Sequence, residues 1–261
     1  MGRAIMVQGT GSSVGKSALV AALCKNFAQD GYKVAPFKSQ NMGSKTIITK
    51  DGYEISDVQY RQALAAGVEP KVEMNPILLK PVDDLRSEII VNGRSVGIMS
   101  AQEYIGYKPH LIKEIARSLE TLQETHDLVV IEGAGSPAEV NLRSHDLANM
   151  VVAELAEAPV ILVADIDLGG VFAYVHGTLK LLLPQERERV QGIIVNKFRG
   201  DARHFAEGAQ ILAELAGVPV VGVIPFFAGN PEQDLEGWAK HVRTNLDFPF
   251  LLNNLGLEVR Q

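Results

Sequence analysis

Ile5-Met6-Val7-Gln8-Gly9-Thr10-Gly11-Ser12-Ser13-Val14-Gly15-Lys16-Ser17 is the stretch whose reading decides the fold. A short apolar run meets a glycine-rich loop, and a helical pattern follows at once, with Leu19, Val20, Leu23, Cys24 and Phe27 on one side. Gly31 marks the end of that helix. Strand, glycine loop and helix in this order are the context in which a phosphate-binding loop works. The glycines let main-chain N–H groups turn toward phosphate oxygens, and the helix start adds its partial positive charge. Gly9, Thr10, Gly11, Ser12, Ser13, Val14, Gly15, Lys16 and Ser17 are therefore the expected nucleotide-binding residues. Lys16 reaches the β/γ-phosphates, and the Ser17 hydroxyl is placed to ligate Mg²⁺. The strict pattern asks for glycine at position 10; Thr10 stands there, and the glycine falls one place earlier at Gly9. The competing reading is a tight strand–helix turn with an incidental Lys-Ser.

Further along, short apolar runs alternate with helical stretches. Leu128-Val129-Val130-Ile131, Val160-Ile161-Leu162-Val163, Gly192-Ile193-Ile194-Val195 and Val220-Val221-Gly222-Val223 each follow a helical stretch. Near-continuous β-branched runs of this kind are parallel strands covered on both faces. The expected fold class is α/β: a doubly wound, mainly parallel P-loop NTPase-type sheet with helices on both faces. Residues 41–110 break the rhythm and read as a substrate-side insertion, with a hairpin at Ile89-Ile90-Val91 turning on Asn92-Gly93. The domain proper is expected over 1–227, with Asp234 to Leu246 as one last helix in a C-terminal tail or linker over 228–261.

Composition narrows the function. The 261 residues are 46% hydrophobic and 21% charged, which fits a soluble globular protein. A net charge of −6 disfavours a nucleic-acid partner. No apolar run approaches the ~20 residues of a membrane span, and no signal-peptide pattern stands at the N-terminus. The only cysteine, Cys24, rules out an intrachain disulfide and fits a cytoplasmic location. The six histidines show no metal-ligand spacing, so no transition metal is expected.

Several polar residues fall at strand ends, where open α/β sheets collect their ligands. Glu132 follows Ile131 and can hold Mg²⁺ directly or through water; a loop or capping carboxylate is the alternative. Asp165 and Asp167 can face the nucleotide or the substrate, or cap the following helix. Lys38 can neutralise a transferring phosphoryl group or stand in solvent. Asn196, before Lys197, offers both donor and acceptor to an adenine edge, or is a turn asparagine.

Longer strings carry a family resemblance. Pro36-Phe37-Lys38-Ser39-Gln40-Asn41-Met42, Met74-Asn75-Pro76-Ile77-Leu78-Leu79-Lys80-Pro81, Glu132-Gly133-Ala134-Gly135-Ser136-Pro137-Ala138-Glu139-Val140-Asn141-Leu142 and Asp165-Ile166-Asp167-Leu168-Gly169-Gly170 are the main ones. Over residues 3–227 the chain resembles the ATP-dependent synthetase domain of the cobyric acid synthase family, which belongs with dethiobiotin synthetase and cobyrinic acid a,c-diamide synthase. The resemblance implies ATP and Mg²⁺ as cofactors and a corrinoid carboxylate as substrate. The carboxylates b, d, e and g of adenosyl-cobyrinic acid a,c-diamide would be activated as acyl phosphates and amidated by glutamine-derived ammonia in cobalamin biosynthesis. It also implies catalytic roles for Lys16, Lys38 and Glu132, metal ligation by Ser17 and Glu132, and adenine contact by Asn196. Glu54 or Asp57 is the second metal carboxylate it suggests. The family's glutamine amidotransferase domain is absent from these residues, so ammonia is expected from a glutaminase domain or subunit elsewhere. Asp83-Asp84-Leu85-Arg86-Ser87-Glu88 departs from the family's usual segment. A homodimer is expected by analogy alone. The alternatives are a related ligase or dethiobiotin synthetase-like carboxylase, and a MinD/ParA-like ATPase switch. The switch proteins usually carry a second lysine early in the loop, where this chain has Gly9-Thr10-Gly11.

Overall fold

A computed structural model describes residues 1–258. The chain begins with β1 (Arg3–Gly9), α1 (Lys16–Gln29) and β2 (Val34–Phe37). An excursion follows: β3 (Gln40–Met42), β4 (Thr46–Ile48), β5 (Glu54–Ser56), α2 (Asp57–Ala65), β6 (Ile77–Pro81), β7 (Arg86–Val91) and β8 (Arg94–Ser100). Then come α3 (Ala101–Thr125), β9 (Leu128–Glu132), α4 (Met150–Leu155), β10 (Val160–Asp165), α5 (Val171–Leu181) and α6 (Pro184–Glu188). The last elements are β11 (Val190–Phe198), α7 (Ala206–Ala216), β12 (Val220–Pro225), α8 (Leu235–Asn245) and α9 (Phe248–Leu255). No helix among the described residues is long and apolar enough to cross a membrane.

Six strands form one parallel sheet in the order β12-β11-β10-β1-β9-β2. Each central strand is apolar on both faces because both faces are covered. Ala4 and Met6 of β1 pack with Val129 and Ile131 of β9 under α3, α4, α5 and α7. Ile5 and Val7 pack with Leu128 and Val130 on the other side, under α1, α8 and α9. The chain winds out to β2, returns to β9 and then crosses β1 to reach β10. The winding direction therefore reverses at the carboxyl end of β1, which opens a crevice there.

The 41–110 insertion is better ordered than its weak strand signals suggest. It holds a four-stranded sheet in the order β3-β6-β7-β8, and β7 and β8 are the hairpin expected at Asn92-Gly93. Asn92 and Gly93 both have positive φ, as that turn requires. Met74, Ile77, Leu79 and Ile89 join the apolar core on the α3 side, so the insertion is welded to the main sheet.

The expectation of a tail or linker from residue 228 is corrected. Residues 235–255 form α8 and α9, and Trp238, Val242, Phe248, Leu251 and Leu255 are buried in the same core as α1. Asp234 caps α8 by accepting from the Gly237 N–H, which confirms the helix read from Asp234 onward. Residues 259–261 of the expected tail lie outside the described residues.

Candidate functional site: a phosphate loop closed on a buried carboxylate

The loop between β1 and α1 turns sharply because Gly15 has φ +104°, and a Cβ there would lie 2.3 Å from the Asn196 amide nitrogen. Any larger residue at position 15 meets both a backbone penalty and a clash. Ser13 takes φ +61°, a conformation uncommon outside glycine. Two side chains from the end of β11 hold the loop from below. Asn196 Nδ2 donates to the Val14 carbonyl at 2.8 Å, and Lys197 Nζ donates to the Ser13 carbonyl at 2.8 Å.

Lys16, nearly buried, donates to the carbonyls of Gly11 and Gly135, each at 2.8 Å. Burial brings its ammonium down from the ordinary lysine range to about 8, and the Lys38 charge pushes the same way against Glu132 and Glu139. The lysine therefore lies across the mouth of the loop, poorly solvated and paired only with neutral acceptors. Such a cation gains much from an incoming anion.

Glu132 is the hub. It is 1% exposed at the end of β9, yet fully engaged. Its Oε1 accepts from Ser17 Oγ at 2.8 Å and from Lys38 Nζ at 2.7 Å, and its Oε2 accepts from Gln62 Nε2 at 2.7 Å. A buried charge of this kind is tolerable only because every side of it is paired. Lys38 reaches it from the segment after β2, whose strand lies beside β9. A hard divalent cation takes oxygen ligands, often one carboxylate with waters and phosphate oxygens. The Ser17 hydroxyl and the Glu132 carboxylate, already in contact, are a donor set of that type.

Other expected ligands go elsewhere. Glu54 accepts from Lys80 Nζ at 2.7 Å and from the Thr46 hydroxyl. Burial works to raise its carboxyl, but these donors outweigh it and hold the group below the usual carboxylate range. Asp57 stands in the first turn of α2 and pairs with Arg61, its neighbour one turn on, at 2.9 Å. The structure thus brings neither Glu54 nor Asp57 into the contacts around Glu132. Asp165 accepts from Lys197 at 2.6 Å and from the Asp167 N–H, which places it under the loop. Asp167 pairs with Arg199, which keeps its carboxyl below the ordinary range.

Three contributors were not read from the sequence. Gln62 lies in a short helix with no motif of its own, and its burial comes from the packing of that helix against α1 and β2. Lys197 was legible as a strand-end residue but not as a brace. Gly135 supplies a carbonyl to Lys16, which no side-chain pattern reveals. Beside Gly135 an open cleft of about 210 Å³ is lined by Gln40, Lys108, Arg143, His145 and Asn149, among others.

Comparisons with known proteins give the chain's family. Residues 5–237 match the family model described as the CobQ/CobB/MinD/ParA nucleotide binding domain. The chain is 53% identical over 238 residues to a cobyric acid synthase of Lachnoclostridium phytofermentans, covering 90% of this chain and 46% of that protein. It is 51% identical to one of Syntrophobacter fumaroxidans, covering 92% and 47%. The chain thus spans about half the length of these curated relatives. Among solved structures, the Signal Recognition Particle 54 kDa protein of Aeropyrum pernix K1 in complex with GDP superposes with a TM-score of 0.50 at 16% identity, over 97% of this chain and 49% of that one. Chloroplast FtsY of Physcomitrella patens does so at 0.50 and 14%, over 93% and 65%. These two likenesses show the P-loop fold alone.

Proposed function

The chain belongs to the CobQ/CobB/MinD/ParA nucleotide-binding family, and from that premise we propose that it is the ATP-dependent synthetase part of a cobyric acid synthase-type ligase. It would activate the b, d, e and g carboxylates of adenosyl-cobyrinic acid a,c-diamide as acyl phosphates for amidation by ammonia. The observation that carries this reading is the convergence of Ser17 and Lys38 on Glu132, beside Lys16 at the mouth of the loop. The relatives named above are cobyric acid synthases, which supports the substrate class.

ATP with Mg²⁺ would supply the phosphoryl group and two further positive charges. The protein's part is positioning and charge neutralisation. Lys16 would exchange its two carbonyl partners for phosphate oxygens. Ser17 and Glu132 would hold the cation. Lys38, already at 2.7 Å from Glu132, would offer its remaining protons to the oxygens that gain charge during transfer. Asn196 spends one of its two N–H donors on Val14, so its Oδ1 would accept from the base amino group and its second N–H would remain for a ring nitrogen. The cleft beside Gly135 would admit the carboxylate, with Lys108 and Arg143 among its walls. Ammonia would come from a glutaminase domain or subunit outside these residues.

The test is an assay with ATP, Mg²⁺, ammonium and a corrinoid carboxylate, following ADP release and product mass together. ADP release that depends on the corrinoid, with one mass unit lost per amidation, is the expected result. ATP hydrolysis indifferent to the corrinoid and controlled by a protein partner would overturn it in favour of an ATPase switch.

A further inference from the structure

Glu132 is gripped from three sides, and one grip comes from α2. Gln62 of α2 donates from Nε2 to Glu132 Oε2 at 2.7 Å, and the same nitrogen lies 3.2 Å from the Ser17 carbonyl. Its Oε1 accepts from Gln59 Nε2 at 3.3 Å. The Oε1 of Gln59 in turn accepts from Asn41 Nδ2 at 2.8 Å. Asn41 belongs to β3, in the sheet of the inserted lobe, and also donates to Ser56, the residue that caps α2.

Three features make this line more than incidental packing. Gln59 and Gln62 are 0% and 1% exposed, and a buried primary amide is costly unless its polar atoms are bonded. They sit three residues apart, so one helix face presents both. The three amides run head to tail, each donating once along the line toward Glu132. In a low-dielectric setting such a chain polarises cooperatively, with its positive end on the carboxylate.

The carboxylate needs that help. The last torsion of a glutamate is broad and roughly two-fold, so the side chain itself sets no orientation for its oxygens. Ser17 and Lys38 both bond Oε1 and leave the carboxylate free to pivot about that atom. Gln62 holds the other oxygen and removes the pivot.

We propose that Gln62 and Gln59 are positioning residues, part of a line of side-chain amides from the inserted lobe that fixes Glu132 for the metal ion. The inference rests on the reading of Glu132 as a Mg²⁺ ligand. Gln62 acts on the metal only through Glu132, and Gln59 acts only through Gln62.

The experiment measures ATP affinity by titration calorimetry, with EDTA and with Mg²⁺, for the wild type, Gln59→Leu, Gln62→Leu and the double variant. Melting curves accompany each. The expected loss in Gln62→Leu is about tenfold in the Mg²⁺-dependent tightening, the scale of an outer-sphere partner, with the EDTA affinity held within about twofold. Gln59→Leu should lose about threefold in the same quantity, and the double variant should match Gln62→Leu alone, because residues acting in series are not additive. Unchanged tightening in both single variants overturns the proposal. So do losses that multiply in the double variant, or losses equal with and without Mg²⁺, which mark a merely structural role. Should Gln62→Leu fail to fold, Gln59→Leu decides the matter with Gln62→Met beside it. A wild type that binds ATP with no Mg²⁺ tightening at all overturns the metal reading of Glu132 itself, a result distinct from tightening that survives in the variants.

Discussion

The ammonium of Lys197 lies 2.6 Å from Oδ2 of Asp165, and the same nitrogen bonds the Ser13 carbonyl at 2.8 Å. One side chain thus links the end of β10, the end of β11 and the floor of the phosphate loop. Asp165 is 4% exposed, so the link also keeps a buried charge partnered. Lys197→Met should lower the unfolding free energy by about 2 kcal/mol, less than for a fully buried pair because Lys197 itself is partly open to water. ATP binding should weaken about tenfold through the loosened loop. Urea unfolding and titration calorimetry check the two effects; an unchanged ATP affinity would show that the brace does not shape the loop.

Lys16 gives a pH signature. Its folded-state value of about 8 lies below that of an unfolded lysine, about 10.4. The folded chain thus releases this proton more readily. The resulting penalty on folding is complete below pH 8 and fades as pH rises toward 10.4. Lys16→Met should therefore melt higher than the wild type at pH 7, with the gap closing above pH 8. Its ATP binding should be lost. Wild-type ATP affinity should fall as pH rises above 8, because the free protein then carries less of the charged lysine. Melting curves and calorimetry across pH 6–10 test all three; a gap that widens with pH contradicts the assignment.

Lys38 and Glu132 form the most buried ion pair of the site, at 12% and 1% side-chain exposure. Lys38→Met leaves Glu132 with Ser17 and Gln62 only. Corrinoid-dependent ATP turnover should fall about a hundredfold, the scale of losing one preorganised donor, while the ATP dissociation constant changes by less than about threefold. Stability should drop by about 2 kcal/mol for the uncompensated charge. Steady-state kinetics beside binding measurements separate the two; equal losses in both would assign Lys38 to ground-state binding.

Gly15→Ala faces two separate obstacles, the φ of +104° and the contact with the Asn196 amide. It should cost about 3 kcal/mol in total. Adding Asn196→Ala removes the clash and not the dihedral strain, so the double variant should recover only part of the stability. Full recovery in denaturant unfolding would mean that the dihedral carries no penalty.

What the sequence disclosed follows from how each feature is encoded. The phosphate loop and the central strands are local patterns: Ile5 to Val7 or Val160 to Val163 read as strands because burial on both faces makes them continuously apolar. Lys38, Glu132 and Asn196 stand out in the sequence because strand ends are few and the crevice lies there. Gln59 and Gln62 escaped notice because they sit in an ordinary polar helix. Only the packing of that helix against α1 and β2 makes their amides buried and directed. Glu54 and Asp57 lie apart from the contacts around Glu132 for the converse reason. Both are acids in the right segment, but Lys80 and Arg61 are nearer partners, and no composition rule ranks a local ion pair against a distant ligand. The apolar positions of α9 looked like the residue of a fading pattern because the partner face, on α1, is more than two hundred residues away.

Trp238 is the one tryptophan in the chain, and its indole N–H bonds the carbonyl of Ala18 at 2.7 Å, one residue past Ser17. The C-terminal helices therefore do more than shield α1: they seat the protein's one indole, selectively excited above the tyrosines, against the first turn of the helix that receives the phosphates. A shift of that turn on loading should change the emission, which makes the unlabelled protein an optical gauge of its own occupancy. Stopped-flow traces of that signal would time nucleotide capture directly, and a silent tryptophan would mean that the turn stays rigid as the loop fills.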